Sequence, residues 1–185
     1  MSQGRINALI LAHAGSGAHV VRLKSGDAGL FGRLDEELEA VEAAGISWRI
    51  VPGITSAVAA AASIGQSLTR RGRNSSVRFI TGHDMQGFAE HDWRALARPG
   101  EVAAIYMGRK SARFVQGRLM MHGAAGTTPV TLIENASRPD ERIIGCCLND
   151  FTTSVTELTG PAIILYGLSP RRAVQLLEDF KEARP

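Results

Sequence analysis

The chain has 185 residues, 44% of them hydrophobic and 21% charged, and its net charge is +3. This composition is typical of a globular protein with one large domain or two small ones. No apolar run approaches the ~20 residues of a membrane span, and the mild positive charge without interleaved aromatic residues gives no sign of nucleic-acid binding. Cys146 and Cys147 stand side by side, without the spacing of a zinc site. We therefore expect a cytoplasmic protein with reduced thiols and no metal.

Hydrophobic periodicity and glycine residues predict alternating helices and strands in the first third of the chain. The predicted elements are a helix at 7–14, a strand at 19–23, a helix at 35–44, a strand at 48–51 and a helix at 57–64. The last of these helices is almost wholly alanine. Because such small side chains let a helix approach a sheet closely, we expect it to be buried.

The rest of the chain continues the alternation after residues 66–75, which are rich in arginine and show no strong periodicity. The predicted strands lie at 77–81, 102–107, 129–134, 142–147 and 162–166, and the predicted helices lie around 93–97, at 112–122 and at 171–183. This order predicts an α/β fold with parallel-rich sheets covered by helices.

The same pattern predicts the domain organisation. We expect the remainder of an N-terminal α/β subdomain at residues 1–66, a linker at 67–75 and a C-terminal α/β subdomain at 76–185. The two strands of the first subdomain make a poor sheet on their own. Either this subdomain shares the sheet of the second, or further strands precede it.

The most informative segment reads R-L-K-S-G-D-A-G-L-F-G-R at residues 22–33. An apolar run stops at Lys24, a Ser-Gly-Asp turn follows, and Asp35 opens an acid-rich helix start. A strand that ends in a glycine turn before a helix lets a ligand reach backbone N–H and C=O groups. In open α/β sheets such turns lie where ligands bind, although an ordinary connection has the same pattern.

Six further blocks follow in order. They are V-P-G-I-T-S-A at 51–57, L-T-R-R-G at 68–72, F-I-T-G-H-D at 79–84, Y-M-G at 106–108, P-V-T-L-I-E-N-A at 129–136 and G-P-A-I-I-L-Y-G at 160–167. Together with residues 22–33, this series resembles the tetrapyrrole methylase family. Within that family the blocks are closest to the uroporphyrinogen-III C-methyltransferases, which form the methyltransferase part of siroheme synthases.

The resemblance implies two α/β subdomains with S-adenosyl-L-methionine in the cleft between them. It implies a methyltransferase that works as a homodimer and converts uroporphyrinogen III to precorrin-2, on the route to siroheme and cobalamin. The cofactor-binding positions that carry over by motif are Ser25, Gly26, Asp27, Leu30, Thr55, Ser56, Met107, Ala136 and Ala162.

The chemistry of these side chains agrees with that transfer. Small residues let backbone groups read an adenine edge, and Met107 and Leu30 supply apolar walls. Asp27 can accept from an ammonium or a ribose hydroxyl, and Thr55 at a helix start can donate to a carboxylate. The alternatives are that Met107 is a core residue, Thr55 a helix cap and Ala136 a packing residue.

The substrate of this family is rich in carboxylates, which arginine forks recognise well. Arg70, Arg71 and Arg73 are candidates to bind it, together with Arg22. The alternative is that the arginines form a solvated loop. His83 lies directly after a predicted strand and either lines the cleft or has a structural role.

Two departures from the family pattern affect the functional expectation. The family begins with a strand and a G-x-G-P-G-D-P loop, which this sequence does not contain, so we expect a truncated first subdomain and assign no catalytic residue. Ser25, Ala28 and Gly29 also replace a Gly and a Pro-Phe pair of the family. We expect weak cofactor binding and little turnover from this chain alone, because an incomplete site orients its substrates poorly.

Three functions therefore remain open. The first is uroporphyrinogen-III C-methylation. The second is a non-catalytic cofactor-binding or structural remnant of the same fold, and the third is a methyltransferase of the same family that acts on another precorrin.

Overall fold

The structure is a computed structural model that describes residues 1–171. The chain divides into two compact units, Met1–Thr55 and a second unit that begins at Ser56. The division precedes the predicted linker at 67–75, so the predicted subdomain boundaries stay a prediction. The predicted helix at 171–183 lies outside the described residues, apart from Arg171.

The first unit contains two helices that pack on each other, α1 (Gln3–Gly15) and α2 (Leu34–Ala43). Three acidic residues occupy the first turn of α2, where they complement the positive end of the helix dipole. Gly45 follows the end of α2, and its φ of 67° allows Ile46 N–H to donate to Val41 O at 2.9 Å. That left-handed glycine and its hydrogen bond are typical of a helix end.

The strands predicted at 19–23 and 48–51 were wrong, because the structure forms no strand in either segment. An apolar run becomes a strand only when a neighbour completes its hydrogen-bond ladder, and sequence periodicity does not report that neighbour. In the first unit Val21, Leu23 and Val51 are 69%, 81% and 69% exposed. These apolar residues therefore stay exposed in the first unit.

The second unit is built around a mixed sheet with helices on its faces. Its elements in chain order are α3 (Ser56–Ser63), β1 (Arg78–Thr81), β2 (His83–Asp84), β3 (Gly87–Phe88), α4 (Trp93–Leu96), β4 (Ala103–Tyr106), α5 (Ala112–Met121), β5 (Pro129–Glu134), β6 (Arg142–Cys147), α6 (Phe151–Val155) and β7 (Ala162–Tyr166). In the described residues the main sheet has five strands in the order β1-β4-β7-β5-β6, and β2 pairs with β3 in a separate hairpin.

The pairing directions correct one expectation. The bounds predicted for β5, β6 and β7 are confirmed, and the α/β class holds, but the sheet is not parallel-rich. Within residues 1–171, only β1 and β4 of this sheet pair in parallel, whereas β4–β7, β7–β5 and β5–β6 are antiparallel. A short connection joins β5 to β6 as a hairpin, and β7 inserts antiparallel between β4 and β5, so the alternation of elements alone did not fix the strand directions.

Alternate residues of the strands face two hydrophobic clusters. Ile105, Leu132 and Ile164 belong to one cluster, together with residues of α4, α5 and α6. Ala104, Ile133 and Ile163 belong to the other cluster, which α3 covers with Ala57, Ala60, Ala61 and Ile64. The prediction of a buried alanine helix is confirmed, since Ala57 and Ala60 are 0% exposed. Within residues 1–171, no helix has the length and apolar character needed to cross a membrane.

Candidate functional site

One end of the main sheet in the second unit gathers several of the predicted cofactor positions. The parallel pairing of Thr81 with Tyr106 aligns the carboxyl ends of β1 and β4. The antiparallel pairing of Glu134 with Ala162 brings the end of β5 to the start of β7, beside β4. We call this end the rim and define it by Gly82, Met107, Ala136 and Ala162. Ligands of α/β sheets bind at such an end.

Met107 follows β4 on the rim and has a left-handed backbone, with φ of 52°. Its side chain is 53% exposed, so it is not a core residue. The backbone that follows β1 packs closely against this segment. Gly82 N–H donates to Tyr106 O at 2.7 Å, and a Cβ on Gly82 would lie 2.8 Å from Gly108 Cα. An exposed apolar side chain on a constrained backbone is available to form the wall of a ligand site.

Ala136 lies in a tight turn after β5. Asn135 and Ser137 on either side of it have φ of 52° and 65°, and Asn135 N–H donates to Pro161 O at 2.9 Å. Ala136 and Ala162 are half-buried and pack against different clusters of the core. Left-handed non-glycine residues concentrate at functional sites. Of the five in the described residues, Met107, Asn135 and Ser137 lie at or beside the rim, and the other two lie in the first unit.

Ser56, another predicted cofactor position, also lies near the rim. It begins α3, and the N–H of the next residue, Ala57, donates to the Tyr106 hydroxyl at 3.1 Å. Tyr106 immediately precedes Met107, so this hydrogen bond fixes the start of α3 beside the end of β4. The second unit therefore brings Ser56, Met107, Ala136 and Ala162 to one end of its sheet.

The Ser-Gly-Asp turn of the first unit is held by its own aspartate. The Asp27 carboxylate accepts from Gly29 N–H and from Gly53 N–H, both at 2.9 Å. Gly26 takes the left-handed conformation with φ of 97°, and a Cβ on Gly53 would lie 2.7 Å from Gly26 O. Asp27 thus joins the turn to residues 52–53. Leu30 is half-buried, and Ser25 is exposed.

Glu37, which the sequence did not single out, anchors the segment before this turn. Its buried carboxylate accepts from Lys24 at 2.7 Å, from Gln3 at 3.0 Å and from Arg22 at 3.1 Å. Burial opposes the charge, but the hydrogen bonds from Lys24 and Gln3 and the two nearby cations outweigh it and lower the pKa of Glu37. Arg22, a candidate substrate residue, is therefore engaged in the first unit. The only sequence signal was an acidic residue on the apolar face of a helix.

The arginine loop lies elsewhere in the second unit. Thr69 to Ser75 line an open pocket of about 580 Å³ that includes Arg70 and Arg71. The Arg73 guanidinium donates to Ser67 O at 2.7 Å and to Leu68 O at 3.2 Å, and burial lowers the pKa of Arg73. A Cβ on Gly100 would lie 2.8 Å from Arg73 O. Because Gly100 precedes β4 and Met107 follows it, the loop lies at the opposite end of the sheet from the rim.

His83 lies beside the rim, directly after Gly82. Its ring Nδ1 is 2.9 Å from Asp84 O, and its ring meets Phe88 edge to face at 6.0 Å between centroids. The structure therefore separates His83 from the arginine loop. In the described part of the chain, no group of at least three His, Cys, Asp or Glu side chains could hold a metal ion.

Residues 1–152 match the family model of the tetrapyrrole (corrin/porphyrin) methylases. The siroheme synthase of Edwardsiella ictaluri is 42% identical over 165 residues, which are 89% of this chain and 36% of that protein. The chain thus spans about a third of the length of the curated relatives it matches. This match agrees with the family resemblance of the sequence blocks.

Solved structures show the same fold. The uroporphyrin-III C-methyltransferase of Thermus thermophilus, in complex with S-adenosylhomocysteine, is 30% identical and aligns with a TM-score of 0.76, over 94% of this chain and 75% of that one. A cobalt precorrin-4 methyltransferase, 25% identical, aligns with a TM-score of 0.80 over 90% of this chain and 71% of that one. Sequence and fold agree, and the chain belongs to the tetrapyrrole methylase family.

Proposed function

We propose that this protein carries out S-adenosylmethionine-dependent C-methylation of uroporphyrinogen III to precorrin-2, in siroheme or cobalamin biosynthesis. The relatives support the proposal, since they are named as siroheme synthases and uroporphyrin-III C-methyltransferases. The observation that carries it is the rim, where Met107, Ala136 and Ala162 come together. In a tetrapyrrole methylase, small side chains beside an exposed methionine suit a nucleoside and its thioether chain.

The residues of the chain fit S-adenosyl-L-methionine as the cofactor. The cofactor supplies an electrophilic methyl group, and methyl transfer depends mainly on the orientation of donor and acceptor. We propose that Met107 packs against the cofactor, that Ala136 and Ala162 leave room for it, and that Ser56 donates a hydrogen bond at the start of α3. In the first unit we propose cofactor contacts for Ser25, Gly26, Asp27, Leu30 and Thr55.

A different observation bears on each of the proposed substrate contacts. His83 is favoured by its position beside Gly82 on the rim. Arg70 and Arg71 remain candidates for carboxylates because both are exposed, whereas the Arg73 guanidinium already holds backbone carbonyls. Alanine variants at His83 and at Arg71, compared by the Michaelis constant for uroporphyrinogen III, separate these candidates.

We also propose a homodimer in the cytoplasm. Exposed apolar side chains of the first unit, including Leu23 and Val51, support self-association, and free Cys146 and Cys147 agree with a reducing compartment. Light scattering coupled to size exclusion measures the oligomer directly.

The function is tested by incubating the chain with S-adenosyl-L-methionine and uroporphyrinogen III under anaerobic conditions and identifying the products by mass spectrometry. The proposal expects the addition of two methyl groups, since precorrin-2 differs from uroporphyrinogen III by that number, at the low turnover that the sequence leads us to expect of this chain alone. Cofactor binding without methyl transfer to any precursor would favour the non-catalytic alternative. Methylation of a later precorrin but not of uroporphyrinogen III would favour the third function, which the similarity to a cobalt precorrin-4 methyltransferase supports.

A further inference from the structure

Glu134 is a buried acid at the rim for which the proposed reaction has no direct use. It ends the apolar strand β5 and is only 1% exposed. A buried carboxylate is costly unless hydrogen bonds and charge compensate it. Its presence at this place therefore calls for a structural reason.

The compensation comes from a loop distant in sequence. One carboxylate oxygen accepts from the N–H of Thr159 at 2.5 Å and from the N–H of Gly160, and the Thr159 hydroxyl lies 3.3 Å away. The other oxygen accepts from Arg142 Nη1 at 3.0 Å. Consecutive N–H groups that point at one anion form a compact anion cradle. The hydrogen bond from Gly160 is the main reason that the pKa of Glu134 is lowered.

The same loop is tied to the two neighbouring rim segments. Arg109 Nη1 donates to Thr159 O at 3.0 Å, and Asn135 N–H donates to Pro161 O at 2.9 Å. A Cβ on Gly160 would lie 2.8 Å from Asn135 Oδ1, so the loop packs directly on the turn after β5. These contacts leave little freedom for the loop once Glu134 holds its amides.

Each tied segment carries a rim residue. Arg109 lies two residues after Met107, Asn135 immediately precedes Ala136, and Pro161 immediately precedes Ala162. The loop at 159–161 therefore connects the three rim segments on which the proposed cofactor site depends, and Glu134 is the side chain that fixes this loop from β5.

We propose that Glu134 is a positioning residue of the cofactor site, which sets the spacing of Met107, Ala136 and Ala162 by holding the amides of Thr159 and Gly160. The inference rests on the proposed function for its consequence, namely cofactor affinity. Its structural part, the fixing of the loop, stands on the hydrogen bonds alone.

The test uses the full chain with Glu134→Leu, Glu134→Gln and a control, Thr131→Val. Leucine removes both acceptor oxygens, whereas glutamine keeps the oxygen that faces Thr159 and Gly160. Thr131 lies on the same strand, is fully buried and donates to Leu168 O at 2.8 Å, so the control loses a buried hydrogen bond at the other end of β5.

Two measurements are made under conditions in which every variant is folded: amide exchange by NMR and the dissociation constant for S-adenosylhomocysteine. We expect E134L to speed exchange at Thr159 and Gly160 by at least ~10-fold and to weaken binding by about 10-fold. We expect E134Q to stay within about 3-fold of wild type in binding, and T131V to change neither quantity at the rim.

The outcomes separate the inference from the proposed function. Unchanged exchange at Thr159 and Gly160 in E134L, or equal effects of T131V at the rim, overturns the positioning role. If wild type fails to bind S-adenosylhomocysteine, the proposed function is contradicted while the exchange measurement still decides whether Glu134 fixes the loop. If E134L does not fold, Glu134→Ala, which removes the same two acceptor oxygens, takes its place: faster exchange confined to Thr159 and Gly160 supports the role, and unchanged exchange there overturns it.

Discussion

At the scale of single residues, the side chains at the rim differ from the core in a way that favours binding. Met107 combines a left-handed backbone with a half-exposed apolar side chain, and neither property helps the fold. Ala136 and Ala162 instead contribute by being small. The site therefore consists of one apolar wall beside spaces that larger side chains would fill.

Met107→Ala tests whether the Met107 side chain packs against the cofactor. Burying a methionine side chain against a ligand contributes roughly 1.5–3 kcal/mol when burial is complete, so we expect truncation to weaken S-adenosylhomocysteine binding by about tenfold. Met121→Ala is the matched control, because Met121 is also exposed but ends α5. Isothermal titration calorimetry measures both variants, and equal affinities for M107A and wild type would contradict the assignment.

Glu37 gives a residue-scale prediction of pH dependence in the first unit. Its pKa is lowered in the folded chain, so the ionised form stabilises folding. The contribution is complete above the ordinary glutamate pKa of about 4.3 and is lost as the pH falls through the lower pKa of the folded state.

We therefore expect Glu37→Gln to destabilise α2 at pH 7 and to flatten the loss of stability below pH ~4.3. Glu39→Gln is the control, since Glu39 is exposed on the same helix. Amide exchange of α2 between neutral and acidic pH measures the difference. If the stability of E37Q relative to wild type did not change with pH, the role given to the Glu37 charge would be wrong.

At the scale of elements, α3 shows how composition determines packing. On the side of α3 that faces the sheet, alanine residues of the helix pack against the strands. Ala60 is 0% exposed within the cluster that includes Ile133 and Ile163. The rest of the helix surface includes Ala62, which is exposed. Alanine is therefore buried on one side of α3 and exposed on the other.

Ala60→Leu is expected to destabilise the second unit by about 1–3 kcal/mol, because a closely packed core has no space for the added atoms. Ala62→Leu adds the same atoms at an exposed position of the same helix and should change stability by at most about 0.5 kcal/mol. Urea unfolding compares the two variants. Equal effects would show that α3 does not pack on the sheet as described.

The sequence predicted those elements whose signal is local. β5, β6 and β7 are apolar runs bounded by turn residues, and their predicted bounds match the structure. Strand pairing is not local, and this explains the two errors: the unpaired segments at 19–23 and 48–51, and the antiparallel insertion of β7 between β4 and β5.

The same difference between local and non-local signals applies to the residues of the candidate site. The motifs pointed to Met107, Ala136 and Ala162, which the register brings to one end of the sheet. Glu134 was inside a recognised block but its role was not visible, because its partners at Thr159 and Gly160 are 25 and 26 residues away. A carboxylate that ends an apolar strand was the available signal.

At the scale of the whole molecule, the fold and the family are established, and the function depends on whether the rim binds the cofactor. The family model matches residues 1–152, which include Met107 and Ala136. Methyl transfer to uroporphyrinogen III requires a bound cofactor. Cofactor binding at the rim is therefore the central claim.

A crystal of the full chain soaked with S-adenosylhomocysteine tests that claim most directly. We expect electron density for the nucleoside and its thioether chain against Met107, Ala136 and Ala162. Density confined to another surface, or a rim that stays empty at saturating ligand while the crystal contacts leave it open, would contradict the account.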